Sequence, residues 1–210
     1  MGPLDNLGAL KYVYMCKFDK DKVFFTSDTH FNHKKIMEYC KRPFSSVEEM
    51  NEKLISNWNE VVSDDCTVFH LGDFAFGGFP IWEDIRSQLR GHIILIKGNH
   101  DFRQNLQNSQ RLEALFDEVT LQKYIEVDKQ QIILNHYPFL CYSGSYNHRI
   151  WALHGHVHQN PYSTGLDSSR LVWRFPTQYD VGVDNNDFYP VSFNQLRDII
   201  NEQIEDYESY

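Results

Sequence analysis

Five times along this chain a short β-branched or aromatic run ends abruptly in residues of the kind that hold metal ions. Val23-Phe24-Phe25-Thr26-Ser27 leads into Asp28-Thr29-His30, and Val68-Phe69-His70-Leu71 leads into Gly72-Asp73. Ile93-Ile94-Leu95-Ile96 is followed by Lys97-Gly98-Asn99-His100-Asp101, Ile132-Ile133-Leu134 by Asn135-His136-Tyr137-Pro138, and Ile150-Trp151-Ala152-Leu153 by His154-Gly155-His156-Val157-His158. Runs of this length and composition read as strands. Their nearly unbroken apolarity is that of strands buried on both faces, as in a sheet flanked by helices. Side chains carried at the ends of such strands can converge.

Between the first three runs the apolar period changes from two to that of a helix, which gives βαβ-like units. Ser45 with Glu48 predicts a capping box ahead of Val47, Met50, Leu54, Trp58 and Val61, one apolar face of a helix. Pro80 fits the first turn of a second helix carrying Ile81, Ile85 and Leu89, with Gly91 at its carboxyl cap. A short helix is expected from Ser109 to about Asp117. A hairpin follows, in which Tyr124–Val127 turns at Asp128-Lys129 into Gln131–Leu134. Ser192 with Gln195 predicts a second capping box, and Val191 with Leu196 has the spacing of a hydrophobic staple ahead of a last helix.

With 210 residues, 41% of them hydrophobic, and no linker-like stretch, the chain is expected to form a single domain over residues 1–210 with a sizeable core. No run approaches the ~18 apolar residues of a membrane span. The formal charge of -9 opposes sequence-independent binding of duplex nucleic acid, which needs a broad basic surface. It leaves a small phosphorylated substrate open. Met1-Gly2-Pro3-Leu4-Asp5 has neither the basic nor the apolar part of a secretory leader, and Asn6 stands where a myristoylation motif wants Ser or Thr. A cytoplasmic protein is the expectation. Cys16, Cys40, Cys66 and Cys141 lie far apart with no Cys-x-x-Cys pair, and are read as reduced core residues.

Carboxylates, imidazoles and one amide oxygen make a mixed nitrogen and oxygen donor set, suited to Mn, Fe, Zn or Ni better than to Mg or Ca. Asp28 and His30 are two residues apart, as are His156 and His158, so on an extended strand end each pair would face one side. Gly72 and Gly98 immediately precede Asp73 and Asn99, where the backbone must turn tightly. Taken singly, each residue has a duller use: Asp or Asn after a strand commonly forms a turn or helix cap, and most histidines serve at the surface or in hydrogen bonds. Five such clusters in one chain are hard to assemble from independent structural uses.

The series Asp28-x-His30, Gly72-Asp73, Gly98-Asn99-His100-Asp101, His136 and Gly155-His156-x-His158 resembles the calcineurin-like metallophosphoesterases, with all five motifs in order over residues 23 to about 158. Val181-Gly182-Val183-Asp184 and Tyr189-Pro190-Val191-Ser192 are similar, more loosely, to small bacterial or phage members. The resemblance implies a four-layer αββα sandwich with a dinuclear metal site at the carboxyl ends of its strands. One ion would take Asp28, His30 and His158, the other Asn99, His136 and His156, with Asp73 bridging. His100 would stay unligated near the phosphate as hydrogen-bond donor or general acid, oriented by Asp101. His154 is an additional imidazole, read as structural.

The activity expected is hydrolysis of small phosphodiesters or phosphomonoesters, nucleotide-like esters among them, by direct attack of hydroxide held between two divalent ions, Mn first among the candidates. A nuclease for single-stranded ends is the rival enzyme, and a non-catalytic protein-binding scaffold the rival of another class. The acidic chain lacks the basic groove of the first, and its complete motifs argue against the second. Lys41-Arg42-Pro43-Phe44, Phe31-Asn32-His33-Lys34-Lys35, the rim Tyr142–Arg149, and Tyr162, Arg170, Trp173, Arg174 and Phe175 of the long 159–179 segment are the places where substrate contacts could arise. Each has an equally plain structural use, Asn32 for instance as a helix cap.

Overall fold

In the computed structural model, residues 16–105, 109–159 and 175–209 are described. Ten strands and six α-helices follow in the order β1 (Cys16–Phe18), β2 (Val23–Thr26), α1 (Lys34–Tyr39), α2 (Val47–Val61), β3 (Thr67–His70), α3 (Phe79–Gln88), β4 (His92–Ile96), α4 (Asn99–Asn105), α5 (Ser109–Leu115), β5 (Glu118–Thr120), β6 (Gln122–Val127), β7 (Gln130–Asn135), β8 (Ile150–His154), β9 (Gln178–Asp180), β10 (Val191–Ser192) and α6 (Phe193–Glu208). All five apolar runs are strands. They divide between two five-stranded sheets, one in the order β10-β2-β3-β4-β5 and the other β1-β6-β7-β8-β9. Among the described strands only β10–β2 and β6–β7 pair antiparallel. This is the α/β sandwich plan.

The alternation within the runs of the first sheet shows why it is buried on both faces. Val23, Phe25, Phe69, Leu71, Ile94 and Ile96 point from the first sheet toward Ile125, Val127, Ile132, Leu134, Trp151 and Leu153 of the second, forming the core between them. Their neighbours Val68, Ile93 and Leu95 point the other way, onto Met50, Leu54, Trp58, Trp82, Ile85 and Leu112 of the helices. Each such side chain contributes about 1.5–3 kcal/mol over its exposed state. In α6, Phe193, Leu196 and Ile200 close the inter-sheet core, and Phe193 stacks on Trp151 at 5.5 Å.

Local signals held with small shifts. The capping residue of α2 is Ser46, which accepts from the Glu49 N–H, one position beyond the expected pair, while Ser45 bonds the Glu49 carboxylate. Gly91 lies past the end of α3, whose cap is Leu89, and α5 stops at Leu115. The Ser192–Gln195 capping box is present in full. Asp128 and Lys129 adopt φ of 48° and 68°, the two left-handed residues of a type I′ hairpin turn. Of the cysteines, Cys40 and Cys66 are buried, but Cys141 is exposed on a loop and is no core residue. Among the described residues no helix is long and apolar enough to cross a membrane.

Candidate metal centre

The carboxyl ends of β2, β3, β4, β7 and β8 meet at one edge of the sandwich, where the loops that follow them are knitted together by backbone bonds. The N–H groups of Asp28 and His30 donate to the carbonyls of Gly72 and Asp73 at 2.9 and 3.0 Å, Gly155 N–H to His136 at 3.0 Å, and Val183 N–H to Ser27 at 3.0 Å. Gly72 has φ +96°, and a Cβ there would lie 2.7 Å from both Gly98 Cα and His136 Nδ1, so the crossing of the second and third loops requires glycine.

The ligand-type residues do not reach the site by strand alternation. Asp28, His30, Asp73, His156 and His158 have φ of 55°, 47°, 58°, 72° and 49°, all in the left-handed region. Non-glycine residues held there cost of order 1–3 kcal/mol each and cluster at functional sites. The loops turn as left-handed steps, and it is this conformation, not an extended one, that aims both members of each pair inward.

The result is a compact nest of donors. Asp28, His30 and His158 offer atoms within 4.8 Å of one another, and so do Asp28, Asp73 and His136. Asp73 Oδ2 stands 3.6 Å from His30 Nε2 on one side and 3.7 Å from His136 Nε2 on the other, while His158 Nε2 is 3.6 Å from Asp28 Oδ1. Donors ~2.1 Å from a common ion stand about 3.0–3.4 Å apart, so these spacings are close to those of shared coordination. Asn99 Oδ1 lies 3.1 Å from His136 Nε2, whose Nδ1 faces the Leu71 carbonyl at 2.7 Å. A carbonyl only accepts, so Nδ1 carries the proton, and in the neutral ring Nε2 and Asn99 Oδ1 are two acceptors turned toward each other. The His156 ring lies 5.1 Å from that of His136, and the backbone N–H of His156 donates to Asp28 Oδ2 at 2.8 Å.

Whether these residues suit a cation can be judged from atoms left without partners. Asp28 Oδ1 and both ring nitrogens of His30 are fully buried with no hydrogen bond. Such atoms are costly unless something else satisfies them. Burial, with the nearby Asp28 and Asp101 carboxylates, pushes the Asp73 carboxyl up to about 8. Burial, with His158 and Arg42, holds His30 well below the ordinary imidazole range. Divalent cations fit this donor set, since they would satisfy the orphaned atoms and offset the crowded carboxylates.

These shifts carry a pH consequence. Asp73 is raised to about 8 and Asp180, by burial and Asp28, to about 7, so the native metal-free chain keeps protons the unfolded chain has lost, and stability falls as pH rises toward 8. His158 is raised well above 6.5, because Asp28 and Asp184 outweigh its burial, and its stabilising contribution is likewise lost on the way up. Burial lowers His33 to about 4 and His70 to about 3; their opposite contribution is complete by 6.5, the ordinary imidazole value. The metal-free chain is therefore expected to melt at lower temperature at pH 8 than at pH 6.5, and saturating Mn²⁺ to remove that difference. A flat or rising profile without metal would contradict this origin of the shifts.

His100 lies at the mouth, its ring 5.2 Å from His30 and 5.0 Å from Phe76, and its Nε2 3.8 Å from Asp73 Oδ2. The Asp101 carboxylate accepts from the N–H groups of Asp73, Phe74 and Gly98 at 2.7–3.0 Å, tying two loops together. His154 is buried, its Nδ1 at 3.0 Å from the Gly155 carbonyl. Asn32 does not cap α1; His33 holds that position, and the Asn32 amide bonds the Phe76 carbonyl. The His33 ring lies flat on Phe76 at 3.6 Å.

Three residues with structural parts here carried no clear signal. Arg42, a possible substrate contact by sequence, is instead buried and bound by Asp184, and Cys40 Sγ lies within 4.8 Å of His158 and Asp184. Asp184 follows β9 at a distance that only the fold closes. The Arg42 guanidinium already supplies the positive charge for Asp184, so the Cys40 group needs no ion. Tyr162, Arg170, Trp173 and Arg174 lie outside the described residues. Phe175 packs edge-on against Tyr142 at 5.4 Å.

The sequence profile of the calcineurin-like phosphoesterases matches residues 21–200. An uncharacterized protein of Methanocaldococcus jannaschii is 34% identical over 181 residues, 85% of this chain and 91% of that protein. The gene 66 protein of Mycobacterium phage L5 is 29% identical over 187 residues, 76% of this chain and 85% of that protein. A crystal structure of a protein of unknown function from Aquifex aeolicus superposes with a TM-score of 0.63 at 26% identity, covering 84% of this chain and 98% of the other.

Proposed function

The chain belongs to the calcineurin-like phosphoesterase family, and on that premise we propose that it hydrolyses small phosphodiesters or phosphomonoesters, nucleotide-like esters among them, at a centre of two divalent transition-metal ions. Asp28, His30 and His158 would hold one ion, Asn99, His136 and His156 the other, and Asp73 both. The observation that carries this reading is that Asp73 Oδ2 is almost equidistant from His30 Nε2 and His136 Nε2, at 3.6 and 3.7 Å. Two divalent ions, when bound, supply a water of lowered pKa and positive charge for the phosphoryl oxygens.

The chain's own groups do the rest. His100, partly exposed beside Asp73, is placed to stabilise charge on the phosphoryl group or to protonate the departing oxygen. Tyr137, 43% exposed, stands edge-on to His136 and His156 at 4.9 and 4.7 Å. Across the mouth, His33 and Phe76 form a second flat wall beside His100. Aromatic faces on both flanks favour a planar leaving group such as a nucleobase-bearing one. The charge of -9 favours a short ester over a long polyanion.

The test is a metal-stripped chain reconstituted with Mn²⁺, Ni²⁺, Fe²⁺ or Zn²⁺ and assayed against aryl phosphodiesters, cyclic nucleotides, dinucleotides, monoesters and single-stranded oligonucleotides. Hydrolysis of the small esters, strongest with Mn²⁺, is expected. Cleavage of oligonucleotides alone would make it a nuclease, and no hydrolysis under any metal would leave a scaffold with this fold.

A further inference from the structure

Behind one of the two proposed cation positions lies a buried ion pair drawn from opposite ends of the chain. Arg42, on the turn after α1, presents Nε and Nη2 to the two carboxylate oxygens of Asp184, both at 2.8 Å. The same guanidinium donates from Nη2 to the Asp28 carbonyl at 2.7 Å and from Nη1 to the Thr29 carbonyl at 2.9 Å. Asp184 Oδ2 is in turn 2.8 Å from His158 Nδ1. A guanidinium only donates and an ionised carboxylate only accepts, so His158 Nδ1 must carry the proton that points at Asp184. With Nδ1 so committed, Nε2 is the nitrogen that faces Asp28 Oδ1, 3.6 Å away, and it is the one that would donate to a cation once its own proton is given up.

The two positions are supported differently. His136 is oriented by a backbone carbonyl, that of Leu71, whereas His158 has a carboxylate behind it. Its companion His30 has no hydrogen bond at either nitrogen. The Asp28/His30/His158 position therefore takes its rigidity from the Arg42 fork, which fixes the backbone of Asp28 and Thr29 and the His158 ring together. We propose that Arg42 and Asp184 are positioning residues that set the tautomer and orientation of His158 and thereby govern cation affinity at that position alone. The inference rests on the two-ion reading above. Outer partners of ligating histidines characteristically fix the ring and raise its basicity.

The experiment titrates the metal-stripped full chain with Mn²⁺ calorimetrically, with His158→Asn and His136→Asn identifying which binding event belongs to which position. Asp184→Asn, an isostere that keeps one acceptor for Arg42, is expected to weaken the event lost in His158→Asn by ~10- to 100-fold and to leave the other within about threefold. Equal weakening of both events, or of neither, overturns the proposal while leaving the two-ion centre standing. A wild-type chain that binds no ion overturns both. A second measurement needs no variant: in the Cd²⁺-loaded wild-type chain, nitrogen NMR should show the proton of His158 on Nδ1 and coupling to a magnetic cadmium isotope at Nε2. Coupling at Nδ1 overturns the proposal irrespective of how Asp184→Asn folds.

Discussion

Asp73→Asn is expected to give a metal-free chain that melts higher than the wild type and yet binds neither cation well. The two effects share one cause. Asp73 is 2% exposed, and burial together with Asp28 and Asp101 makes its negative charge unfavourable until a cation arrives. The amide removes that charge while its oxygen can still accept the His100 N–H, now 2.9 Å from Asp73 Oδ1. Cation affinity at both positions should fall by more than the ~10- to 100-fold typical of losing an outer partner, because a direct and shared donor has gone. Stability gained at the expense of a strained functional site is a general pattern. Thermal melts with and without Mn²⁺, beside calorimetric titration, check both halves. Full occupancy in the variant, or loss at only one position, would remove Asp73 from the bridge.

His100→Asn should behave in the opposite way, keeping both ions and losing turnover. The imidazole is 29% exposed and stands at the mouth with Nε2 3.8 Å from Asp73 Oδ2, while its structural bond to Asp73 is made by the backbone and survives substitution. A positioned acid or base contributes ~10²- to 10⁴-fold, and a loss of that size in kcat with unchanged metal content is expected. Turnover equal to wild type would exclude His100 from the reaction.

The strands were legible because their signal is local. Ile93–Ile96 cannot be exposed on either face, and the structure puts Ile94 and Ile96 against the second sheet and Ile93 and Leu95 against the helices. Gly72 and Gly98 were legible for a similar reason, since the backbones cross at their Cα atoms. The conformation of the loops was not. A spacing of two suggested extended strand ends, whereas Asp28 and His30 both sit at left-handed φ, which the bonds between the 28–31 and 72–76 loops impose. Nor could the sequence show Arg42 as anything but one cation among lysines. Its partner is Asp184, 142 residues away, and only the packing of the turn after α1 against the loop after β9 makes the pair. The edge strands β1 and β5, three residues each, are too short to leave a period.

The central claim is that one carboxylate serves two cations. Anomalous scattering from crystals of the Mn²⁺-loaded chain tests it most directly. The account predicts two peaks ~3.5–4 Å apart, each within coordination distance of the Asp73 carboxylate, one beside His30 and His158 and the other beside Asn99 and His136. A single peak at full loading, or two peaks of which either lies out of reach of Asp73, would contradict it.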